Sequence, residues 1–340
     1  MSTKVRLGLD FGGTKTEIIA LDAANGKEVY RKRVPTARDD YQGTLQGFKS
    51  LIEEAETTLG QRGSIGIGMP GSLSKDNGLV KNSNAVWMNG KPMKEDLEKL
   101  LGREVRLQND ANCFAVSEAV DGAGAGDEVV FGVIIGTGCG GGVVVNGNPV
   151  AGINGVGGEW GHNALPYPRV YRPEHIDTGF AKENETPPKE IVHFTRDKDW
   201  SEYPGEVCYC GKAGCQELWI SGTGFKLDYK RVTGEDLSTH DVIANAVKGE
   251  VKARAALDRY IDRLARSLSV VINILDPDVI VLGGGMSNVD ELYTAVPKIW
   301  GKYVFSDSVH TKLKPPRHGD SSGVRGAAWL WAEKGDLQDA

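Results

Sequence analysis

The chain has 340 residues, 40 Lys and Arg against 46 Asp and Glu, a formal net charge of -6 and 40% hydrophobic residues. That length allows two ordinary domains with separate cores, and an acidic balance with no Lys/Arg stripe argues against a nucleic-acid partner. The opening MSTKVRLGLDFGG leads into a strand pattern rather than a signal peptide, and no apolar run reaches membrane-spanning length, so a cytoplasmic protein with no membrane partner is expected.

The first predicted element is a strand from Val5 that stops on glycines, VRLGLDFGGTKT. An amphipathic helix follows, with Leu45, Phe48, Leu51, Ile52, Ala55 and Leu59 on one face. At QNDANC a second helix begins and runs through Ala111, Phe114, Ala115 and Glu118, where Asp110 is a candidate N-cap. DGAGAGD from Asp121 is an acidic, Gly-rich joint, and we place a lobe boundary there, between 1–122 and 123–319. Beyond it, VVFGVIIGTGCGGG from Val129 is another strand ending on glycines. Residues 166–207 are polar, dotted with Pro and without periodicity, which in a compact protein marks a functional or mobile excursion.

CYCGKAGC at 208–215 holds three of only five cysteines. Five are too few for a disulfide framework, and thiols this close suggest either a metal site or a redox-active cluster. A long helix then carries Leu257, Ile261, Leu264, Leu268, Val271 and Leu275 on one face, and Pro277 is expected to stop it before VIVLGGGM from Val279. The last helix, SSGVRGAAWLWAEK within 320–340, is expected to return to the first lobe. Three strands that each stop on a glycine cluster suggest a nucleotide held between the strand ends of two sheets, because glycine lets backbone N–H groups approach phosphate. Neither GxxxxGK[ST] nor a convincing GxGxxG dinucleotide fingerprint is present.

Taken together, DFGGTKT (10–16), MPGS (69–72), QNDANC (108–113), IIGTGCGGG (134–142), GEWGH (158–162), CYCGKAGCQE (208–217) and DPDVIVLGGGMSN (276–288) resemble the ROK sugar kinases, with bacterial fructokinases and mannofructokinases the nearest kind. The resemblance covers essentially the whole chain in order. It implies an α/β, two-lobed, actin-like ATPase fold with the active site in the interdomain cleft, Mg-ATP as phosphoryl donor, and a hexose as acceptor. Fructose and mannose, phosphorylated at O6, are the first expected acceptors, and glucose, N-acetylglucosamine and N-acetylmannosamine are the same-family alternatives. A sugar-sensing regulator without catalysis is the alternative of a different class, against which a Mg²⁺ carboxylate and a general base both count. Family members often form dimers, so a homodimer is a further expectation.

Carried onto this sequence, the resemblance gives Asp110 as the base that takes the acceptor hydroxyl's proton. Asp10 would hold Mg²⁺ through water, with Gly12, Gly13, Thr14 and Lys15 facing the phosphates. Gly136, Thr137 and Gly138 correspond to a second phosphate loop, and Gly283, Gly284 and Gly285 to a shelf under adenosine. Gly71, Ser72, Asn84, Asn109, Asp110, Glu159, His162 and Glu217 correspond to sugar contacts. His162 resembles the fourth ligand that joins Cys208, Cys210 and Cys215 in a structural Zn²⁺ site. The 45 residues between His162 and Cys208 exceed the spacing of shorter relatives, which implies a remodelled lid, specificity loop or subunit interface.

Overall fold

A computed structural model describes residues 5–171, 176–177, 202–203 and 205–332. Strand β1 (Val5–Phe11) is buried along nearly its whole length, as VRLGLDF implies for a central strand. It pairs antiparallel with β2 (Lys15–Asp22), which pairs antiparallel with β3 (Glu28–Pro35). On its other side β1 runs parallel to β4 (Ser64–Met69), and a short hairpin of β5 (Ser72–Leu73) and β6 (Val80–Lys81) follows β4. Strand β7 (Arg106–Asn109) closes the sheet parallel to β4, giving the order β3-β2-β1-β4-β7.

The second sheet repeats that plan. Strands β8 (Val129–Ile135), β9 (Cys139–Val145) and β10 (Asn148–Pro149) form the antiparallel part. After a two-stranded ladder of β11 (Val170–Tyr171) and β12 (Ile176–Asp177), β13 (Val279–Gly283) and β14 (Lys312–Lys314) add in parallel, giving β10-β9-β8-β13-β14. Residues 172–175, 178–201 and 204 of the predicted 166–207 excursion lie outside the described residues.

Helix α1 (Tyr41–Leu59) buries Leu45, Phe48, Leu51, Ile52 and Ala55 against the first sheet, the stripe its sequence predicts. Asp40 caps it by accepting from the Gly43 N–H, and Gly60 ends it at φ 66°. Helix α2 (Met93–Leu101) covers the same face. Helix α3 (Asp110–Val120) packs against β8 and β9, and the carboxyl-terminal α9 (Ser322–Trp329) packs on α3, β1 and β4. One apolar seam joins Ile19 and Leu21, Phe114 and Val116, Val130 and Val281, and Val324 and Trp329, so both sheets share these two helices. A Cβ on Gly66 would lie 1.8 Å from the Ala327 carbonyl oxygen, and one on Gly326 would lie 1.6 Å from that of Cys113. Only glycine permits those backbones to meet.

On the outer face of the second sheet lie α4 (Glu217–Ile220), α5 (Gly222–Thr233), α6 (Thr239–Val247), α7 (Val251–Leu275) and α8 (Leu292–Trp300). Helix α7 ends at Leu275, two residues before Pro277, with Asp276 as a left-handed cap at φ 47°. Helix α9 is shorter than predicted, ending at Trp329; residues 333–340 lie outside the described residues.

Beneath this layer Asp228 is buried with Arg259 at 2.9 Å and Arg263 at 3.1 Å. Glu202 meets Arg263 at 2.7 Å and Arg266 at 2.9 Å. Burial by itself would raise both carboxyls, but the surrounding guanidinium groups hold Glu202 down at about 2 and Asp228 lower still. Glu202 also joins the chain to Arg169 through a reciprocal pair of backbone N–H···O=C and N–H···carboxylate bonds, both 2.8 Å. The neck of the excursion is thereby tied to α7.

Candidate active site

Strand β1 ends at Asp10 just before the Gly12–Gly13 turn, where the Gly12 N–H donates to the Lys15 carbonyl at 3.0 Å. Strand β7 ends at Asn109, and α3 starts at Asp110. These ends meet in a cavity of about 280 Å³ lined by Asp10, Gly12, Gly13, Asn84, Asp110 and Gly284, among others. Parallel strands leave their carboxyl ends on one side, and here two sheets contribute theirs to the same crevice. A larger cavity of about 710 Å³ lies elsewhere, between the end of α7 and residues 304–312, and holds none of the predicted site residues.

The structure corrects one expectation about α3. The N-cap is Asn109, whose Oδ1 accepts from the Ala111 N–H at 2.9 Å while its Nδ2 donates to the Gly71 carbonyl at 3.1 Å. Asp110 is the first helical residue; its Oδ1 also accepts from the Ala111 N–H, at 2.8 Å. Gly71 has φ 79°, and a Cβ there would come within 2.4 Å of the Lys81 carbonyl, so this glycine is fixed by local packing.

Asp110 is exposed to the cleft, yet protein surrounds its carboxyl closely enough that lost hydration, followed by repulsion from Glu159, raises its proton affinity. Asp10 is raised to about 6, chiefly by burial and then by the charges of Asp110 and Glu17, with Arg33 pulling the other way. Strand register explains the last two: Asp10 is opposite Glu17 on β2, and Glu17 is opposite Arg33 on β3. Arg31 and Arg33 bond the Glu17 carboxylate at 2.6 and 2.5 Å, which offsets a like-charge pair directly across the strands. Two carboxylates with raised proton affinity on one crevice are a donor set suited to a hard divalent cation.

Between β8 and β9, Gly136 donates to the Gly138 carbonyl at 3.0 Å and Thr137 is exposed at the tip. Glu217, the first residue of α4, accepts from the Cys139 N–H at 2.9 Å. A Cβ on Gly138 would lie 2.8 Å from that carboxylate, so the glycine admits Glu217 to the loop. Gly283 is buried against the Phe114 ring, while Gly284, at φ 76°, and Gly285 are exposed. The shelf expected from three glycines is thus open at two.

Trp160–His162 forms a short 3-10 turn begun by Glu159. One ligand atom each from His162, Cys208, Cys210 and Cys215 lies within 4.8 Å of all the others. The His162 Nδ1 is 3.7 Å from the Cys208 Sγ, and Cys210 and Cys215 sulfurs are 3.5 Å apart. Tetrahedral Zn–S bonds of about 2.3 Å require sulfur separations of about 3.7 Å, so the residues fit that ion. An isolated bridge between Ala164 and Cys215, and the Gln216 N–H donating to the Asn163 carbonyl at 2.8 Å, tie the histidine turn to the cysteine turn.

The ROK family model matches residues 6–334. The chain belongs to the ROK family. It is 39% identical over 327 residues to an N-acetyl-D-glucosamine kinase of Yersinia enterocolitica, covering 96% of this chain and 99% of the relative. An N-acetyl-D-glucosamine kinase of Haemophilus influenzae is 37% identical, also over 327 residues, with 96% and 99% covered. Among solved structures, the ROK hexokinase of Thermus thermophilus superposes with a TM-score of 0.77 at 28% identity, covering 96% of this chain and 97% of that one. A ROK family transcriptional regulator superposes at 0.74 with 21% identity, covering 96% of this chain and 77% of the regulator. The two-lobed, actin-like ATPase fold expected from the motifs is therefore the observed one.

Within this ROK protein the predicted residues fall into three neighbouring groups. Asp10, Gly12, Gly13, Asn84, Asp110 and Gly284 share the crevice; Ser72 and Asn109 line a smaller cavity of about 110 Å³ beside it; Glu159, His162 and Glu217 border the cysteine turn and the β8–β9 loop. Thr14 and Lys15 are exposed at the edge of the first hairpin. Sequence reasoning missed Glu17 and Arg33, although the alternation of β2 and β3 offered the signal. It also missed Tyr209, which no periodicity marks.

Proposed function

We propose that this protein is an ATP-dependent sugar kinase that transfers the γ-phosphoryl group to the primary hydroxyl of a hexose, with N-acetyl-D-glucosamine as the first acceptor. The observation that carries the reading is Asp110 and Asp10 in one crevice at the strand ends of both sheets, with Asn109 supplying the helix cap. Asp110 is the general base. The acceptor O–H proton passes to its carboxylate, the oxygen attacks the γ-phosphorus, and the bond to the β-phosphate oxygen breaks to release ADP. The raised proton affinity of Asp110 suits that task, since a base works best when its pKa is brought toward the working pH.

Gly12, Gly13, Thr14 and Lys15 from one hairpin and Gly136, Thr137 and Gly138 from the other hold the phosphates. Gly284 and Gly285 flank the adenosine. Asp10 would hold Mg²⁺, which supplies charge neutralisation on the phosphates. Asn84, Glu159 and Glu217, with Ser72, the Gly71–Asn109 pair and the His162 ring behind them, bind the sugar, because each ring hydroxyl leaving water needs a partner. His162, Cys208, Cys210 and Cys215 would hold a structural Zn²⁺ that keeps the Glu159 and Glu217 segments in register.

N-acetyl-D-glucosamine comes first because near-full-length relatives at 37–39% identity carry that name. Fructose, the first expectation from the motifs, has no support among these relatives, and it stays with mannose as the second reading because the motif set taken together resembles the family's fructokinases and mannofructokinases. The sensor alternative is disfavoured by the intact carboxylate pair. ADP release with N-acetylglucosamine, N-acetylmannosamine, glucose, mannose and fructose tests the proposal. Turnover confined to fructose or mannose changes the acceptor and leaves the kinase standing; turnover with no sugar overturns it.

A further inference from the structure

Between the two thiols of Cys208 and Cys210 projects a tyrosine that the chemistry above does not use. Tyr209 is 83% exposed, in a turn closed by Cys208 N–H to Lys212 carbonyl and Gly211 N–H to Cys208 carbonyl bonds, both 2.8 Å. Its hydroxyl lies 3.0 Å from the Nε2 of His162, and the two rings meet edge to face with centroids 5.1 Å apart. The other ring nitrogen, Nδ1, faces the Cys208 sulfur. An imidazole that gives Nδ1 to a metal carries its proton on Nε2, so Nε2–H donates to the Tyr209 oxygen.

We infer that Tyr209 is a positioning residue: its hydroxyl fixes the ring of His162 and, through it, couples the zinc ligands to the sugar-binding side of the cleft. The inference rests on the reading that Glu159, His162 and Glu217 line the acceptor site. With a thiolate ligand on each side of it in sequence, Tyr209 moves only if the metal loop moves, so loop and sugar site stay in one register.

The test is Tyr209→Phe, which removes one oxygen from an exposed ring and leaves the fold intact. Zinc loss from the purified, zinc-loaded protein to a chelator should accelerate roughly tenfold, the usual cost of losing a partner of a metal-bound histidine. The KM for the sugar should rise roughly three- to tenfold, as the His162 ring and the Glu159 and Glu217 segments beside it lose register, with kcat and the ATP KM held within about twofold. Tyr209→Gln, which restores an acceptor oxygen, should recover most of the zinc retention. Unchanged zinc loss in Tyr209→Phe overturns the inference, and so does an equal rise in both KM values, which would mean a loosened fold. A wild-type protein that phosphorylates no sugar overturns the acceptor reading instead, because zinc loss is measured without substrate and still decides whether Tyr209 holds His162.

Discussion

Two sets of carboxylates in this molecule, one sealed in the core and one facing the crevice, bind protons in opposite ways. Asp228 and Glu202, beneath the outer helices of the second sheet, are held far below their ordinary range by Arg259, Arg263 and Arg266. Asp10 and Asp110, in the crevice between the sheets, are raised. Burial acts in the same direction on all four, so the difference comes from neighbours. The first pair is enclosed by guanidinium groups that remain charged at any accessible pH. The second pair has mostly carboxylates around it, Asp110 and Glu17 near Asp10 and Glu159 near Asp110, with Arg33 the cation that reaches Asp10. A carboxylate compensated inside the protein serves the fold, whereas one left uncompensated at an open crevice can exchange a proton or take a cation from solution.

That contrast is broken most directly at Asp110. Asp110→Asn should lower kcat roughly 10²- to 10⁴-fold with little change in melting temperature, measured as ADP release beside a thermal melt. Retention of more than about a tenth of the activity would move the proton transfer elsewhere. Asp228→Asn should do the reverse. It leaves buried guanidinium charge without its counter-ion and should cost about 3–5 kcal/mol in urea unfolding, with the sugar and ATP KM values of the folded fraction unchanged. The folded pKa of Asp228 is depressed, so its stabilising effect is fully present above the unfolded value of about 3.9 and declines below it, to be lost only as pH falls through the far lower folded value; the gap to the variant should narrow progressively in strong acid.

Asp10→Asn sharpens the comparison through the opposite sign. Its folded pKa, about 6, lies above the ordinary value of 3.8, so the ionised form is disfavoured in the fold and stability is lost as pH rises between those values. Without Mg²⁺, the variant should melt higher than wild type at pH 8, with the gain shrinking below about pH 6 and gone by about pH 4, while turnover is lost. A lower melting temperature at pH 8 would show that Asp10 is already compensated. The smallest effect belongs to Arg33→Met, which removes the cation nearest Asp10 and should move the acid limb of the rate profile upward by roughly a few tenths of a pH unit.

Much of the site was legible because its parts are short and local. Glycines that follow a strand, Asp10 before Gly12, and three thiols in eight positions are visible without the fold. The stripe of α1 also read directly onto the buried face. The cap of α3 did not, because Asn109 and Asp110 are both good capping residues and only the turn geometry places Asn109 at the cap, with its amide on Gly71. The arginine cluster was hidden for a different reason. Arg259, Arg263 and Arg266 read as the polar side of an amphipathic helix, and their burial depends on Glu202 and Asp228, which arrive from other parts of the chain.

The sequence by itself determined the family, the glycine turns, the cysteine triplet of a candidate metal site and the carboxylate at the head of α3, since each is specified by residue types at fixed spacing. Tertiary structure alone decided that two sheets of the same strand order share α3 and α9, that Glu17 and Arg33 sit in register with Asp10, and that Tyr209 meets the far nitrogen of His162. The physical reason is range: turns and ligand spacings are set within a few residues, whereas a buried charge or a ring nitrogen takes its character from groups that only folding brings near.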